Sequence, residues 1–154
     1  MANEAKFVYG TQATITTSGA ATSSAQLSAS VWSYATAQTN DYPDAVFMLK
    51  VASSSPFGGT PTAGSTLDLY VVPQQVDGST GDQVAPATGA STDAYKGIYV
   101  CSFVLKASNT GSDMYVAFGY GLPKEGTFYL YNGSGQSLAV NWSLYMTPRT
   151  LGPA

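Results

Sequence analysis

The chain has no histidine and one cysteine in 154 residues. Without imidazole it lacks the side chain most used as a general base near neutral pH, which is also the commonest metal ligand. A single cysteine excludes an intrachain disulfide, and with no histidine beside it Cys101 lacks the usual base that makes a thiol a nucleophile. Charge is scarce as well. Asp, Glu, Lys and Arg make up 10% of the residues, against roughly a quarter in an ordinary soluble domain. The six basic residues, Lys6, Lys50, Lys96, Lys106, Lys124 and Arg149, are scattered singly. No basic stripe exists to neutralise phosphates, so no nucleic-acid partner is expected. No apolar run reaches the length of a bilayer crossing, so no membrane partner is expected. The opening Met1-Ala2-Asn3-Glu4-Ala5-Lys6 lacks the apolar core of a signal peptide, which points to synthesis in a cytoplasm.

What is present is alternation. From Leu138 to Met146, the residues Leu138, Val140, Trp142, Leu144 and Met146 fall on one side at a period of two. Ala139, Asn141, Ser143 and Tyr145 fall on the other. That pattern predicts a strand with one face on a core and Trp142 deep within it. Pro148 is expected to stop its ladder. Similar patterns predict strands over Ala25–Tyr34, Asp44–Ser53 and Thr66–Val72. In the second, Phe47, Leu49 and Val51 oppose Val46, Met48 and Lys50; both faces begin apolar, so this strand is expected to be central. Lys96–Lys106, around buried Cys101, is expected to be a long buried strand, with Asp113–Tyr120 pairing back onto it. Thr127–Tyr131 is a short aromatic strand. Asn132-Gly133-Ser134-Gly135 is a hairpin signal leading into the last strand. A weak edge strand is predicted at Ala13–Thr17.

The expected fold is therefore all-β: an antiparallel two-sheet β-sandwich, jelly-roll-like, of about eight strands, with an extended N-terminal arm. An immunoglobulin-like sandwich is the alternative, but its paired cysteines are missing. The division expected is residues 1–24 as arm and edge strand, and 25–154 as the sandwich. The stretch from Gln74 to Tyr95 is a long loop of the kind that carries function or contacts. Phe57, in a loop punctuated by Gly and Pro, is expected to tuck back onto the core, or else to project to a partner.

Chemistry is sparse. Glu4 and Glu125 are the only glutamates. Asp41 and Asp44 flank Tyr42-Pro43 as a glycosidase pair might be spaced, but turn formation explains them better. The segment from Asp77 to Asp82 lacks the alternating oxygen ligands of a calcium loop. No catalytic residue, cofactor site or metal site is assigned. The aromatics carry more. Tyr129, Tyr131 and Tyr145 are expected to share the outer face of adjacent strands, as a subunit contact or a platform for a host glycan. Phe7, Val8 and Tyr9 are the adhesive part of the arm.

The opening Met-Ala-Asn-Glu-Ala-Lys-Phe-Val-Tyr-Gly, followed by a Thr/Ala/Ser-rich segment, resembles that of small proteins from tailed-bacteriophage structural gene clusters. The charge-poor, Ser/Thr/Gly-rich body is similar to phage virion accessory proteins. The resemblance implies a capsid decoration or cement protein, or a small tail or fibre component. Such a subunit binds copies of itself and other capsid proteins, gripping neighbours with its arm through Phe7, Val8 and Tyr9. Phe57, Tyr129, Tyr131 and Tyr145 are the further expected partner contacts.

Overall fold

The computed structural model describes residues 5–17, 26–33, 43–51, 56–73, 97–107, 113–123, 125–138 and 141–153. Among them are nine strands and no helix: β1 (Ala5–Tyr9), β2 (Ala13–Thr17), β3 (Gln26–Ser33), β4 (Asp44–Val51), β5 (Thr66–Pro73), β6 (Ile98–Val104), β7 (Asp113–Gly119), β8 (Glu125–Asn132) and β9 (Trp142–Pro153). They form two antiparallel sheets. One runs β1-β9-β4-β7, with β2 also on β9; the other runs β3-β8-β5-β6. β1 pairs with the far end of β9, Ala5 opposite Pro153 through Tyr9 opposite Arg149. β2 continues along the same edge, Ala13 opposite Met146 through Thr17 opposite Ser143. The two short strands thus occupy one strand position, and the nine strands fill eight positions. Residues 5–17 belong to the sheet rather than standing off it.

Period-two alternation sets the inward faces. Phe47, Leu49 and Val51 of β4 are buried, as are Leu67, Leu69 and Val71 of β5. Trp142, Leu144 and Met146 of β9 are buried beside them. β4 is central, flanked by β7 and β9. The inward residues of both sheets form one apolar cluster, joined by Ile15 of β2 and Phe57. Phe47 of one sheet meets Phe128 of the other edge-on, with ring centroids 5.5 Å apart at 70°. Burying a side chain of this size contributes about 1.5–3 kcal/mol, so this cluster is the main source of stability.

Five further expectations need correction. The last strand begins at Trp142, not Leu138. Asn141 has a positive φ of 61° and turns the chain there, while Leu138 is buried in an isolated bridge to Phe57. Pro148 does not stop the ladder, since β9 runs on to Pro153. The Pro148 carbonyl accepts the Gly10 N–H at 2.8 Å, and in an antiparallel strand a residue's N–H and C=O point to the same neighbour. The donor that proline lacks therefore faces the break between β1 and β2, where no ladder needs it.

The Asn132–Gly135 segment is not a hairpin: β8 and β9 lie in different sheets. The buried Asn132 side chain organises a crossover instead. Its Nδ2 donates to the Gln136 carbonyl at 2.7 Å, and its Oδ1 accepts from the Ser134 N–H and hydroxyl at 3.0 and 2.6 Å. Likewise β7 pairs with β4 rather than back onto β6. β6 is an edge strand, with Ile98, Tyr99 and Val104 exposed and Cys101 and Phe103 buried. Asp41, the long loop from Gln74 to Tyr95 and its segment from Asp77 to Asp82 lie outside the described residues.

Candidate functional site

The outer face of the five-stranded sheet is apolar along β7, where water would favour polar groups. β7 carries Met114, Val116 and Phe118 outward, 65, 58 and 47% exposed, and Tyr120 follows just past its end. Inward, Tyr115 packs against the core, and the two inward positions after it are small: Ala117 and Gly119. A Cβ at Gly119 would sit 2.7 Å from both Phe47 and Val100, so the core leaves no room for bulk there. Register sets Phe118 beside Val46 and Val116 beside Met48. Met48 in turn lies beside Tyr145 on β9.

At one end of this face sits Arg149. It is only 6% exposed. Its guanidinium carbon lies 4.5 Å from the Phe7 ring, 4.8 Å from Phe118 and 5.3 Å from Tyr120. Its Nε is buried without a hydrogen-bond partner. Three ring faces take the place of a carboxylate, each worth about 0.5–2 kcal/mol of cation–π attraction. Asp44, opposite Arg149 on β4, accepts the Gly121 N–H at 3.2 Å. Phe7 and Leu151, opposite each other on β1 and β9, are both exposed beyond this cluster.

The outer face of the four-stranded sheet is different in kind. Tyr99, Tyr70 and Tyr129 are in register across β6, β5 and β8. Ser102, Asp68 and Tyr131 form the parallel row beside them. Tyr70 and Tyr99 meet edge to face, centroids 5.8 Å apart at 74°. The Ser102 hydroxyl donates to Asp68 Oδ1 at 2.5 Å, and the Tyr99 hydroxyl lies 2.9 Å from Ser102 Oγ. Serine has one proton to give, so Tyr99 is the donor to Ser102. Burial raises the Tyr70 phenol above its ordinary pKa, and the Asp68 charge adds to that.

The expected contact residues fall on different surfaces. Phe7 and Tyr9 are exposed and Val8 is half-buried. Phe57 is 4% exposed and packs inward, so it has no outward surface to offer. Tyr129 and Tyr131 share the outer face of the four-stranded sheet, but Tyr145 lies on the other sheet. The expected three-tyrosine row does not exist, because β8 and β9 are not neighbours. Sequence reading missed Met114, Val116, Phe118 and Leu151 on one face, and Tyr70, Tyr99, Asp68 and Ser102 on the other. The signal for the first set was present: Met114, Val116 and Phe118 alternate with Tyr115, Ala117 and Gly119, so the strand is apolar on both faces.

Cys101 is buried, and burial, with a smaller effect of the Asp68 charge, pushes its thiol up to about 12. Among the described residues no group of three His, Cys, Asp or Glu side chains is placed to hold a metal ion. No described helix is long and apolar enough to cross a membrane. No protein-family model, no curated protein and no solved structure matches the chain.

Proposed function

We propose that this chain is a non-enzymatic structural subunit of a bacteriophage virion, made in the host cytoplasm, that binds neighbouring capsid subunits as a decoration protein. The observation that carries the reading is the apolar outer face of the five-stranded sheet, Met114, Val116 and Phe118 with Phe7 and Leu151 at its end. Monomeric soluble proteins rarely leave such a face to water, and one of this kind marks a protein contact. The low charge of the whole chain favours close lateral packing. Fully burying one such side chain is worth about 1.5–3 kcal/mol, and repetition over many copies multiplies weak contacts into firm attachment.

The fold fits the role as a jelly-roll sandwich. Its support is the strand order: β2-β9-β4-β7 in one sheet and β3-β8-β5-β6 in the other is what two interleaved Greek keys give. An experimental structure with β6 and β7 hydrogen-bonded along their length, closing one barrel, would overturn that description.

The functional test is attachment. Purified protein is mixed with capsids assembled without it and pelleted, and its mass in solution is measured by light scattering. Wild type is expected to co-sediment, and Val116→Glu to stay in the supernatant with an unchanged melting temperature. A wild-type chain that is monomeric at every concentration and never pellets with capsids sinks the reading.

A further inference from the structure

We infer that the outer face of the four-stranded sheet is a saccharide-binding surface, with Tyr99 and Tyr70 as its stacking pair and Ser102, Asp68 and Tyr131 as its hydrogen-bonding row; Tyr129, next in register but only 7% exposed, backs the pair and offers no surface of its own. This site goes beyond attachment to a capsid and uses the opposite side of the molecule from the apolar face. The five surface residues come from three neighbouring strands. Adjacent strands are about 4.8 Å apart, and residues two apart on a strand are separated by about 6.7 Å. The two rows therefore frame a patch on the scale of one or two pyranose rings.

The chemistry of the rows is that of a polyol site. A sugar ring presents an apolar C–H face and a rim of hydroxyls. Tyrosine rings supply the amphipathic surface for the first. The Tyr70 and Tyr99 rings meet at 74°, so they make two walls of a shallow groove, not one flat plate. The rim meets the second row. Asp68 is held in place through Oδ1 by the chain from Tyr99 through Ser102. Its second oxygen has no partner among the described residues, and an ionised carboxylate oxygen is a strong acceptor for a hydroxyl. The Tyr131 hydroxyl both donates and accepts, as vicinal sugar hydroxyls do.

A basic side chain is the rival occupant, since a carboxylate among aromatic rings attracts cations. The hydroxyl chain argues against it. Ser102 already gives Asp68 a short charge-assisted hydrogen bond, and a cation would have no use for the donor on Tyr131. The row offers donors and acceptors together, and a polyhydroxylated ring uses both.

The experiment is a glycan array of bacterial surface polysaccharides, peptidoglycan fragments and simple hexoses, probed with the full-length protein. Hits are then titrated by calorimetry. Two variants carry the test. Tyr99→Ala removes a side chain that is 55% exposed on an edge strand, and Asp68→Asn keeps the shape while removing the charge. Each is expected to weaken binding at least tenfold with an unchanged melting curve. Met114→Ala, on the far sheet, is expected to bind as wild type does. No saccharide bound by the wild type, or undiminished binding by both variants, overturns the inference. So does binding of an arginine- or lysine-rich peptide that is lost in Asp68→Asn while no saccharide binds. The array uses free protein, so its outcome is independent of capsid attachment.

Discussion

Arg149 carries a full charge into a nearly closed site, and two opposing terms decide what that does. Removing a guanidinium from water costs several kcal/mol even after relaxation. The rings of Phe7, Phe118 and Tyr120 return about 0.5–2 kcal/mol each. The terms come close to cancelling, so what Arg149 mainly supplies is packing along its stem. Arg149→Ala is therefore expected to cost about 2–4 kcal/mol, the price of a large-to-small change at a buried site. Arg149→Met, which keeps the length, is expected to stay within about 1 kcal/mol of wild type. Urea unfolding of both variants decides it. Equal losses would mean that the charge over the rings, not the stem, is what matters.

Cys101 poses the same question for a neutral group. Its pKa of about 12 lies above the ordinary 9.0 because burial, and then the Asp68 charge, disfavour the thiolate. The fold therefore prefers the protonated thiol. That preference is fully present below pH 9 and is lost as the pH rises from 9 toward 12. Tyr70 is raised for the same first cause and acts in the same direction from pH 10 upward. The melting temperature is expected to fall progressively above pH 9, and Cys101→Ala to fall less. An identical alkaline decline in both proteins would remove Cys101 from the account. Below pH 9 the native thiol is expected to resist iodoacetamide and to react only after unfolding.

At the scale of elements, the sequence was legible where one face is apolar and the other is not. β4 and β5 were placed with their inward residues because Phe47, Leu49, Val51, Leu67, Leu69 and Val71 hold the period. The expected weak strand at Ala13–Thr17 is β2, and Ile15 is its buried residue. β7 defeated the same rule because both of its faces carry apolar residues, Tyr115 and Ala117 inward and Met114, Val116 and Phe118 outward. β9 defeated it through Pro148, whose effect depends on what its missing N–H would face, and that is the break between β1 and β2 at Gly10, more than a hundred residues away in sequence. The candidate faces were less legible than the strands, because each is assembled across strands that only the topology brings together.

β1 invites a direct test. Among the described residues, the five of β1 pair only with β9, and most of their side chains are exposed. Net backbone hydrogen bonds of about 0.5–1.5 kcal/mol apiece are largely offset by roughly 1–2 kcal/mol per residue of ordering entropy. Deleting residues 1–10 is therefore expected to leave a folded protein, since β2 and β4 still flank β9. A loss of about 1–3 kcal/mol would lower the melting temperature by roughly 2–12 °C. Capsid attachment is expected to be lost with Phe7 and Tyr9. A truncated chain that fails to fold would make β1 part of the core scaffold, and one that still pellets with capsids would free the arm of any contact role.

For the whole molecule, the decisive feature is that almost every connection changes sheets. Among the described residues the only consecutive strands paired with each other are β5 and β6, and residues 74–97 separate them. β1 pairs with β9 across nearly the full length of the chain. Each turn signal reads the same in a hairpin and in a crossover, so local chemistry at Asn132–Gly135 marked a reversal without saying which strand lies next to which. The same topology governs folding. Loop-closure entropy must be met before any ladder forms, which puts refolding on the order of milliseconds to seconds rather than microseconds. Stopped-flow fluorescence can follow it, since Trp142 is fully buried in the native state.

While the chain is slow to close, β7 presents Met114, Val116 and Phe118 on the face that remains open even at the end. Intermolecular capture through this strand then competes with folding, and the competition grows with concentration. Refolding yield is expected to fall as protein concentration rises, and Val116→Glu is expected to restore yield while leaving the rate at high dilution unchanged. A variant that folds faster but aggregates as before would place Val116 in the folding nucleus and take the apolar face out of the association.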